Sequence, residues 1–493
     1  MSMIEIHELT FGYEGSCENV FERISFRIDT DWRLGLIGRN GRGKTTLLRL
    51  LQGKYEYSGS ITAGVEFDCF PFEVEDCAFS ALEVAQSVCP TAQSWQLLRE
   101  LNRLGVCEDA LWRPYETLSK GEQTKVLLAA LFLREGLYLL IDEPTNHLDL
   151  AGRRRVAQYL KSKKGFLLVS HDRDFLDACV DHIVSINREG IQVQSGNFSD
   201  WYRDKLDRDK FERAQNDRLK AEIVRLKTSA QRASDWADRV ERSKIGEGPC
   251  DRGYIGHKSA AMMKRSKAIE RRREAAAEEK SKLLRNVEYA APLKLTPLSI
   301  HSACLAEFAD VSLSYGDRTV LNHLRLRVER GQRILLNGPN GCGKSTVLRL
   351  LGGAMLPIAG RLTRAGGLTV SVVPQDASFL RGNLSDYAGR RGIDESLFKT
   401  ILRKLDFSRA QFDRDMSELS AGQRKKVLIA ASLCERAHLY LWDEPLNYID
   451  IFSRIQIEEL LLSAPDLTLV FAEHDAAFAR RIATETAELG TPL

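Results

Sequence analysis

Apolar and polar positions alternate in the opening MIEIHEL and predict a β-strand at the start of the chain. Further on, in LYLLI (137–141) and FLLVS (166–170), the apolar residues run without a break. Such runs are expected of strands covered on both faces, and here they alternate with helix-like sequence. A strand, a glycine-rich loop and a helix follow one another near residue 40 and again near residue 340. The alternation predicts an α/β fold with a largely parallel sheet. The middle of the chain has a different period. Leu219, Ile223, Leu226, Ala230, Ala233, Trp236 and Val240 step by three or four residues and form one stripe of a helix over about 203–240. Met262, Ile269, Ala276 and Leu283 repeat every seven residues on the far side of a glycine- and proline-containing loop. Two striped helices around a loop predict an antiparallel hairpin, an arm about 60 Å long.

The elements on either side of this arm are two copies of one pattern. LIGRNGRGKTTLLRLL recurs as LLNGPNGCGKSTVLRLL, LSKGEQTKVLLAA as LSAGQRKKVLIAA, LYLLIDEPTNHLD as LYLWDEPLNYID and LLVSHD as LVFAEHD. The offsets are 300 for Lys44 and Lys344, 301 for Ser119 and Ser420, 301 for Asp142 and Asp443, and 303 for His171 and His474. Four landmarks in one order at a nearly constant offset make the chain a tandem duplication. The expected domains are 1–200 and 296–493, joined by a linker over 201–295 whose tip lies at about 245–258.

Charge separates the linker from the rest. Residues 203–290 hold eight more basic than acidic side chains, although the formal net charge of the whole chain is only +3. A basic segment between mildly acidic domains suits a polyanionic partner. The ten cysteines have no metal-ligand spacing, so reduced thiols in the cytoplasm are expected. Neither a signal peptide nor an apolar run of about 18 residues is found, and no membrane contact is expected.

The chemistry sits in the duplicated motifs. Residues 38–45 and 338–345 read GxxxxGK[ST], in which backbone N–H groups and a helix N-terminus surround phosphate oxygens. This places Gly38, Asn40, Gly41, Gly43, Lys44, Thr45 and Thr46, and Gly338, Asn340, Gly341, Gly343, Lys344, Ser345 and Thr346, around a nucleotide. The two lysines would reach the β- and γ-phosphates, and Thr45 and Ser345 would ligate Mg2+. Asp142 and Asp443 end apolar strands and would serve the same ion. Glu143 and Glu444 follow them and would face the attacking water, while His171 and His474 would hydrogen-bond the γ-phosphate. The plain alternatives, solvated acids at strand ends and capping histidines, lose ground because both copies place these residues beside a phosphate loop.

With LSKGEQ (118–123) and LSAGQ (419–423) the whole chain resembles an ATP-binding-cassette protein with both nucleotide-binding domains fused. The resemblance implies head-to-tail closure on two ATP molecules. Site one would combine residues 38–45, Asp142, Glu143 and His171 with Ser420 and Gly422. Site two would combine residues 338–345, Gln375, Asp443, Glu444 and His474 with Ser119 and Gly121. Tyr13 and Tyr315 match the aromatic that stacks on adenine, and Gln375 matches a further Mg2+ ligand. Two departures stand out: CFPFEV puts Phe72 where the second copy has Gln375, and EPLNYID puts Leu446 and Tyr448 where the first has Thr145 and His147. Two hydrolytic sites of unequal rate are expected.

Two cassettes around a linker, without membrane segments, resemble the ABC-F family, whose members bind ribosomes at the tRNA exit site. The stretch KIGEGPCDRGYIGHKSAAMMKRSKAIERR and the motif DEPLNYIDIFSR resemble the antibiotic-resistance branch of the Lsa type. The spacings from Thr45 to Leu118 (73) and from Ser345 to Leu419 (74) leave no room for the extra arm of some translation-factor relatives. The resemblance implies a cytoplasmic ATPase acting on the bacterial 70S ribosome, including its 23S rRNA and P-site tRNA, as a monomer with intramolecular domain pairing. Within the linker tip, Lys244, Arg252, Tyr254, Ile255, His257 and Lys258 mix basic and stacking side chains suited to structured RNA; a solvated linker with alternating charge is the plainer reading. The competing functions are an ABC-F translation factor that relieves stalled ribosomes without drug and the ATPase subunit of a drug-efflux transporter. A DNA-maintenance ATPase would carry a longer coiled coil or zinc-binding cysteines, so DNA is not an expected partner.

Overall fold

The computed structural model describes residues 3–14, 19–72, 74, 76–146, 148–187, 190–242, 297, 298, 300–316, 318–339 and 341–490. The chain forms two compact units. Met1–Trp201 and Pro292–Leu493 together make one, and Tyr202–Ala291 the other.

In the first copy the strands are β1 (Met3–Phe11), β2 (Phe21–Asp29), β3 (Arg33–Gly38), β4 (Ser58–Thr62), β5 (Glu66–Phe70), β6 (Leu137–Asp142), β7 (Phe166–Val169), β8 (His182–Asn187) and β9 (Gly190–Ser195). The second copy contains β10 (Cys304–Tyr315), β11 (Arg318–Glu329), β12 (Arg333–Asn337), β13 (Ala359–Arg364), β14 (Val370–Val373), β15 (Leu439–Asp443), β16 (Leu469–Ala472) and β17 (Glu485–Glu488). The main sheets run β5-β6-β7-β3-β8-β9 and β14-β15-β16-β12-β17, so corresponding strands occupy corresponding places. Both are parallel apart from the antiparallel pair β8–β9. Burial on both faces explains the unbroken apolar runs: Phe166 and Leu168 are 0% exposed, as are Leu439 and Leu441.

Smaller antiparallel sheets, β2-β1-β4 and β11-β10-β13, accompany the main ones. They repeat even in their irregularities. Positive φ occurs at Glu8 and Arg23 in the first copy and at Asp310 and His323 in the second. Register shifts fall near these positions, which makes them bulges common to both copies.

Parallel order has a direct consequence for chemistry. Gly38 ends β3, Asp142 ends β6 and His171 follows β7, so all three gather at the carboxyl edge of one sheet. The helices Lys44–Leu51 and Lys344–Gly352 leave that edge and bury Leu47, Leu48, Val347 and Leu348 beneath the sheets.

The second unit is reached by the helix Phe198–Arg242, whose 45 residues contain the stripe from Leu219 to Val240. The segment expected to return as a second helix and the tip residues Lys244, Arg252, Tyr254, Ile255, His257 and Lys258 lie outside the described residues, as does Asn340. No helix among the described residues is long and apolar enough to cross a membrane.

Candidate nucleotide sites

Each glycine-rich loop closes because its last glycine is left-handed. Gly43 has φ +89°, and a Cβ there would come within 2.6 Å of Val20 and 2.7 Å of Phe21. Gly343 repeats this with φ +99° against Val320 and Leu321, both at 2.8 Å. The following lysine is drawn into the loop. Lys44 Nζ donates to Gly38 O at 2.7 Å, Arg39 O at 3.3 Å and Asn40 Oδ1 at 3.3 Å. Lys344 Nζ donates to Gly338 O at 2.7 Å and Pro339 O at 3.1 Å. Burial lowers the pKa of Lys44 despite the acids around it.

Of the candidate cation ligands, Thr45 and Asp142 come together in the first copy. Thr45 Oγ1 lies 3.5 Å from Asp142 Oδ2, and the Ser345 hydroxyl acts on Asp443 from the corresponding place in the second copy, favouring its charged form. Burial raises the pKa of both aspartates. Asp443 Oδ1 is buried without a hydrogen-bond partner. A desolvated carboxylate with a spare oxygen beside a hydroxyl is a donor set suited to Mg2+.

The glutamates diverge. Both sit in left-handed backbone, φ 50° at Glu143 and 43° at Glu444, a conformation that non-glycine residues adopt at a cost. Each has its histidine close by: His171 Nε2 is 3.5 Å from Glu143 Oε1, and His474 Nε2 is 3.6 Å from Glu444 Oε1. Burial and then repulsion from Asp142 push Glu143 up to about 8. Its Oε1 is buried without a hydrogen-bond partner. Burial also acts on Glu444, but donors outweigh it: His474, Gln375 and Asn447 together pull that carboxyl down to about 2. Gln375 Nε2 donates to Glu444 Oε2 at 2.8 Å and Asn447 Nδ2 at 2.7 Å. Burial takes His171 well below its ordinary value.

Tyr13 and Tyr315 are 44% and 46% exposed, each at the edge of its loop. Their hydroxyls lie 2.7 Å from Thr46 Oγ1 and 3.5 Å from Thr346 Oγ1, respectively. An exposed ring tethered at its hydroxyl can offer a face to a base.

Site one is composite. A cavity of about 530 Å³ is lined by Tyr13, Asn40, Lys44, Thr45, Asp142, Glu143 and His171 of the first copy and by Ser420, Gly422, Asn447, Tyr448 and Arg454 of the second. Asn40 Nδ2 donates to Tyr448 O at 3.0 Å. A Cβ on Gly422 would meet that same carbonyl at 2.3 Å and Asn40 Nδ2 at 3.2 Å. Ser420 is the N-cap of the helix Ala421–Cys434 and forms a capping box with Gln423, as Ser119 does with Glu122 ahead of Lys120–Leu131. The S-x-x-E/Q spacing of both LSxGQ-like motifs is thus a helix start, which aims backbone N–H groups outward. Gly121 is half-buried near the start of its helix.

Ion pairs join the two copies around this site. Arg39 meets Asp406 at 2.9 Å, and Arg480 meets Asp174 at 2.8 Å. Arg153 donates to Asp172 at 3.0 Å and to His474 O in the other copy at 3.3 Å. Arg173 is clasped between Glu458, which it hydrogen-bonds, and Asp475 at 3.8 Å; Glu458 and Asp475 are 0% exposed. The duplication does not repeat this clasp, because Ala476 and Ala157 stand at the corresponding positions. The sequence motifs also gave no indication of Asn447, Arg153, Arg173 or Arg454. Of these Asn447 and Arg454 carried a local cue, their place in DEPLNYIDIFSR.

Comparison with known proteins matches the ABC transporter family to residues 21–146 and 321–447. The chain is 26% identical to the ribosome protection protein VmlR of Bacillus subtilis over 97% of its own length and 86% of the relative's. It is 24% identical to ABC transporter F family member 2 of Arabidopsis thaliana, over 99% and 76%. Among solved structures, a complex of the archaeal ribosomal stalk protein aP1 with the archaeal ribosome recycling factor aABCE1 is similar with a TM-score of 0.65 at 20% identity. That likeness covers 98% of this chain and 87% of the other.

Proposed function

Because the chain belongs to the ABC transporter family and is an ATPase, we propose that it is a cytoplasmic ABC-F clamp which protects the bacterial 70S ribosome from antibiotics. The observation that carries the clamp is the composite site one, where Gly422 and Tyr448 of one copy close against Asn40 of the other. A nucleotide seated there would touch both copies and favour their closure.

In this reading Lys44 and Lys344 leave their loop carbonyls for phosphate oxygens. Thr45 with Asp142, and Ser345 with Asp443 and Gln375, would hold Mg2+, which would supply charge neutralisation for the phosphates. Ser420 and Gly422 contribute donors to site one, and Ser119 and Gly121 to site two. Tyr13 and Tyr315 stack on the base. Glu444 orients the attacking water and accepts its proton, Glu143 does so only in the fraction of molecules in which it is ionised, and His171 and His474 hold the γ-phosphate side. Hydrolysis removes the phosphate that bridges the two copies, and the clamp opens.

The whole-length similarity to a ribosome protection protein supports the ribosome as target. The excess of eight positive charges over 203–290 supports contact with RNA. Closed on ATP at the tRNA exit site, the clamp would direct the tip toward the peptidyl-transferase centre. There Lys244, Arg252, Tyr254, Ile255, His257 and Lys258 would shift P-site tRNA and 23S rRNA. A lincosamide, streptogramin A or pleuromutilin would then dissociate, as in the Lsa branch that the tip sequence resembles.

The test is co-sedimentation of the Glu143→Gln/Glu444→Gln double variant with 70S particles, with and without ATP, at two salt concentrations. Pelleting that needs ATP and weakens with salt is expected; pelleting indifferent to ATP removes the clamp. Replacing 246–257 by a short Gly/Ser turn should spare both pelleting and ATPase while abolishing drug protection of translation in an extract. Protection that persists removes the tip's role.

A further inference from the structure

The helix Ala421–Cys434 begins at one nucleotide site and continues past the other. Its cap, Ser420, and Gly422 line site one. Little more than a turn beyond the cap is Lys425, an ammonium-bearing side chain only 2% exposed. Its Nζ donates to Pro374 O at 2.8 Å and to Asp443 O at 3.4 Å. Pro374 immediately precedes Gln375, whose amide holds Glu444 at 2.8 Å. One buried side chain therefore joins the wall of site one to the loop and the strand end that form site two.

The first copy lacks both halves of this arrangement. Thr124 stands where the second copy has Lys425, and its hydroxyl turns back to Lys120 O, 3.0 Å away in its own helix. Phe72 stands where the second copy has Gln375. Tie and glutamine occur together in one copy and are replaced together in the other. A tether to the glutamine loop has a purpose only where the loop carries a glutamine.

We propose that Lys425 is a positioning residue which makes turnover at site two depend on nucleotide at site one, with no matching tie among the described residues of the first copy. The inference rests on the assignment of the two sites given above. Closing Ser420 and Gly422 over a phosphate at site one moves their helix as a rigid rod. Lys425 carries that movement to Pro374, and Gln375 brings Glu444 into its working position. An ammonium with two carbonyl partners in a dry interior is costly to pull away from them, so the loop follows the helix. Binding linkage between two sites is reciprocal by thermodynamic necessity, and the asymmetry therefore resides in the turnover rate.

The experiment uses the full chain carrying Glu143→Gln, in which only site two turns over. Lys44→Ala is added to weaken nucleotide at site one, and Lys425→Met to cut the tie. With Lys425 present, Lys44→Ala should lower kcat about fivefold or more. Lys425→Met should lower kcat about tenfold with KM within about twofold, and should make kcat indifferent to Lys44→Ala. Lys425→Gln, which keeps a neutral donor group on a shorter stem, should restore part of the rate and of the dependence. Binding of a fluorescent ATP analogue and the melting temperature should barely change in either Lys425 variant. A Lys425→Met protein that keeps its kcat, or still responds fivefold to Lys44→Ala, overturns the proposal; should that variant not fold, an unaltered kcat and response in Lys425→Gln does the same. Adding Glu444→Gln to the starting variant must abolish the remaining turnover. If it does not, the assignment of the glutamates has failed rather than the tie.

Discussion

The two candidate nucleotide sites are copies of one pattern, yet their glutamates are displaced in opposite directions from the ordinary carboxylate value. Glu143 and Glu444 each follow an aspartate at a strand end, share left-handed backbone and face a histidine at about the same distance. What separates them is supplied from elsewhere in the chain. Gln375 and Asn447 donate to Glu444 and keep it charged, whereas burial beside Asp142 favours the protonated form of Glu143. A carboxylate's character is set by the donors around it more than by the motif that contains it.

The comparison breaks most sharply at the glutamine. Gln375→Phe gives site two the residue of site one and should slow site-two turnover, measured with Glu143→Gln present, by about a hundredfold. An unaffected rate would mean that the donor to Glu444 is incidental. The next effect divides total turnover between the sites. Glu444→Gln should remove about nine-tenths of steady-state ATPase and Glu143→Gln less than about half, because only Glu444 is ionised and held in place by Gln375 and Asn447 to orient the attacking water. Equal losses would make the sites equivalent.

The smallest effect is on stability without nucleotide. Glu143 holds its proton up to about 8, above the usual 4.5, so the folded state keeps a proton that the unfolded chain releases. That contribution is full below 4.5 and is lost as pH rises toward 8. Glu444 is displaced the other way, to about 2, and its contribution is full above 4.5 and is lost as pH falls toward 2. At pH 7 Glu143→Gln should therefore melt higher than the unaltered protein and Glu444→Gln lower, each by about 2 °C. The gain from Glu143→Gln should vanish by pH 4.5, while the deficit from Glu444→Gln should shrink only below it. Shifts of the same sign would contradict the opposed environments.

Much of this architecture could be read from the sequence because the motifs are local. A glycine-rich loop, a strand ending in Asp-Glu and a helix start at Ser-x-x-Glu/Gln each specify their own backbone within a few residues. Duplication then fixes their order, and parallel strands bring their ends to one edge. Even the inequality had a visible trace, since Phe72 stands where Gln375 would be expected. Contacts between the copies left no trace of that kind. Asn40 and the carbonyl of Tyr448, or Arg173 and Glu458, are hundreds of residues apart, and no periodicity in either segment points to the other. Lys425 was equally hidden: in a helix of low amphipathicity, a lysine two residues past the motif reads as an exposed charge until the fold shows its partners to be carbonyls.

In the proposed clamp, the unrepeated clasp of Arg173 with Glu458 and Asp475 would bear on how the copies part. Fully separated and wetted, these ions lose little, since water replaces what each gave the other. Partly separated, with no room yet for water, they are unpaired in a medium of low polarity, where the penalty is steep. The clasp thus raises the pass between closed and open more than it deepens the closed basin. Half-open arrangements should be sparsely populated, and dwell times should respond to added salt only once water has entered.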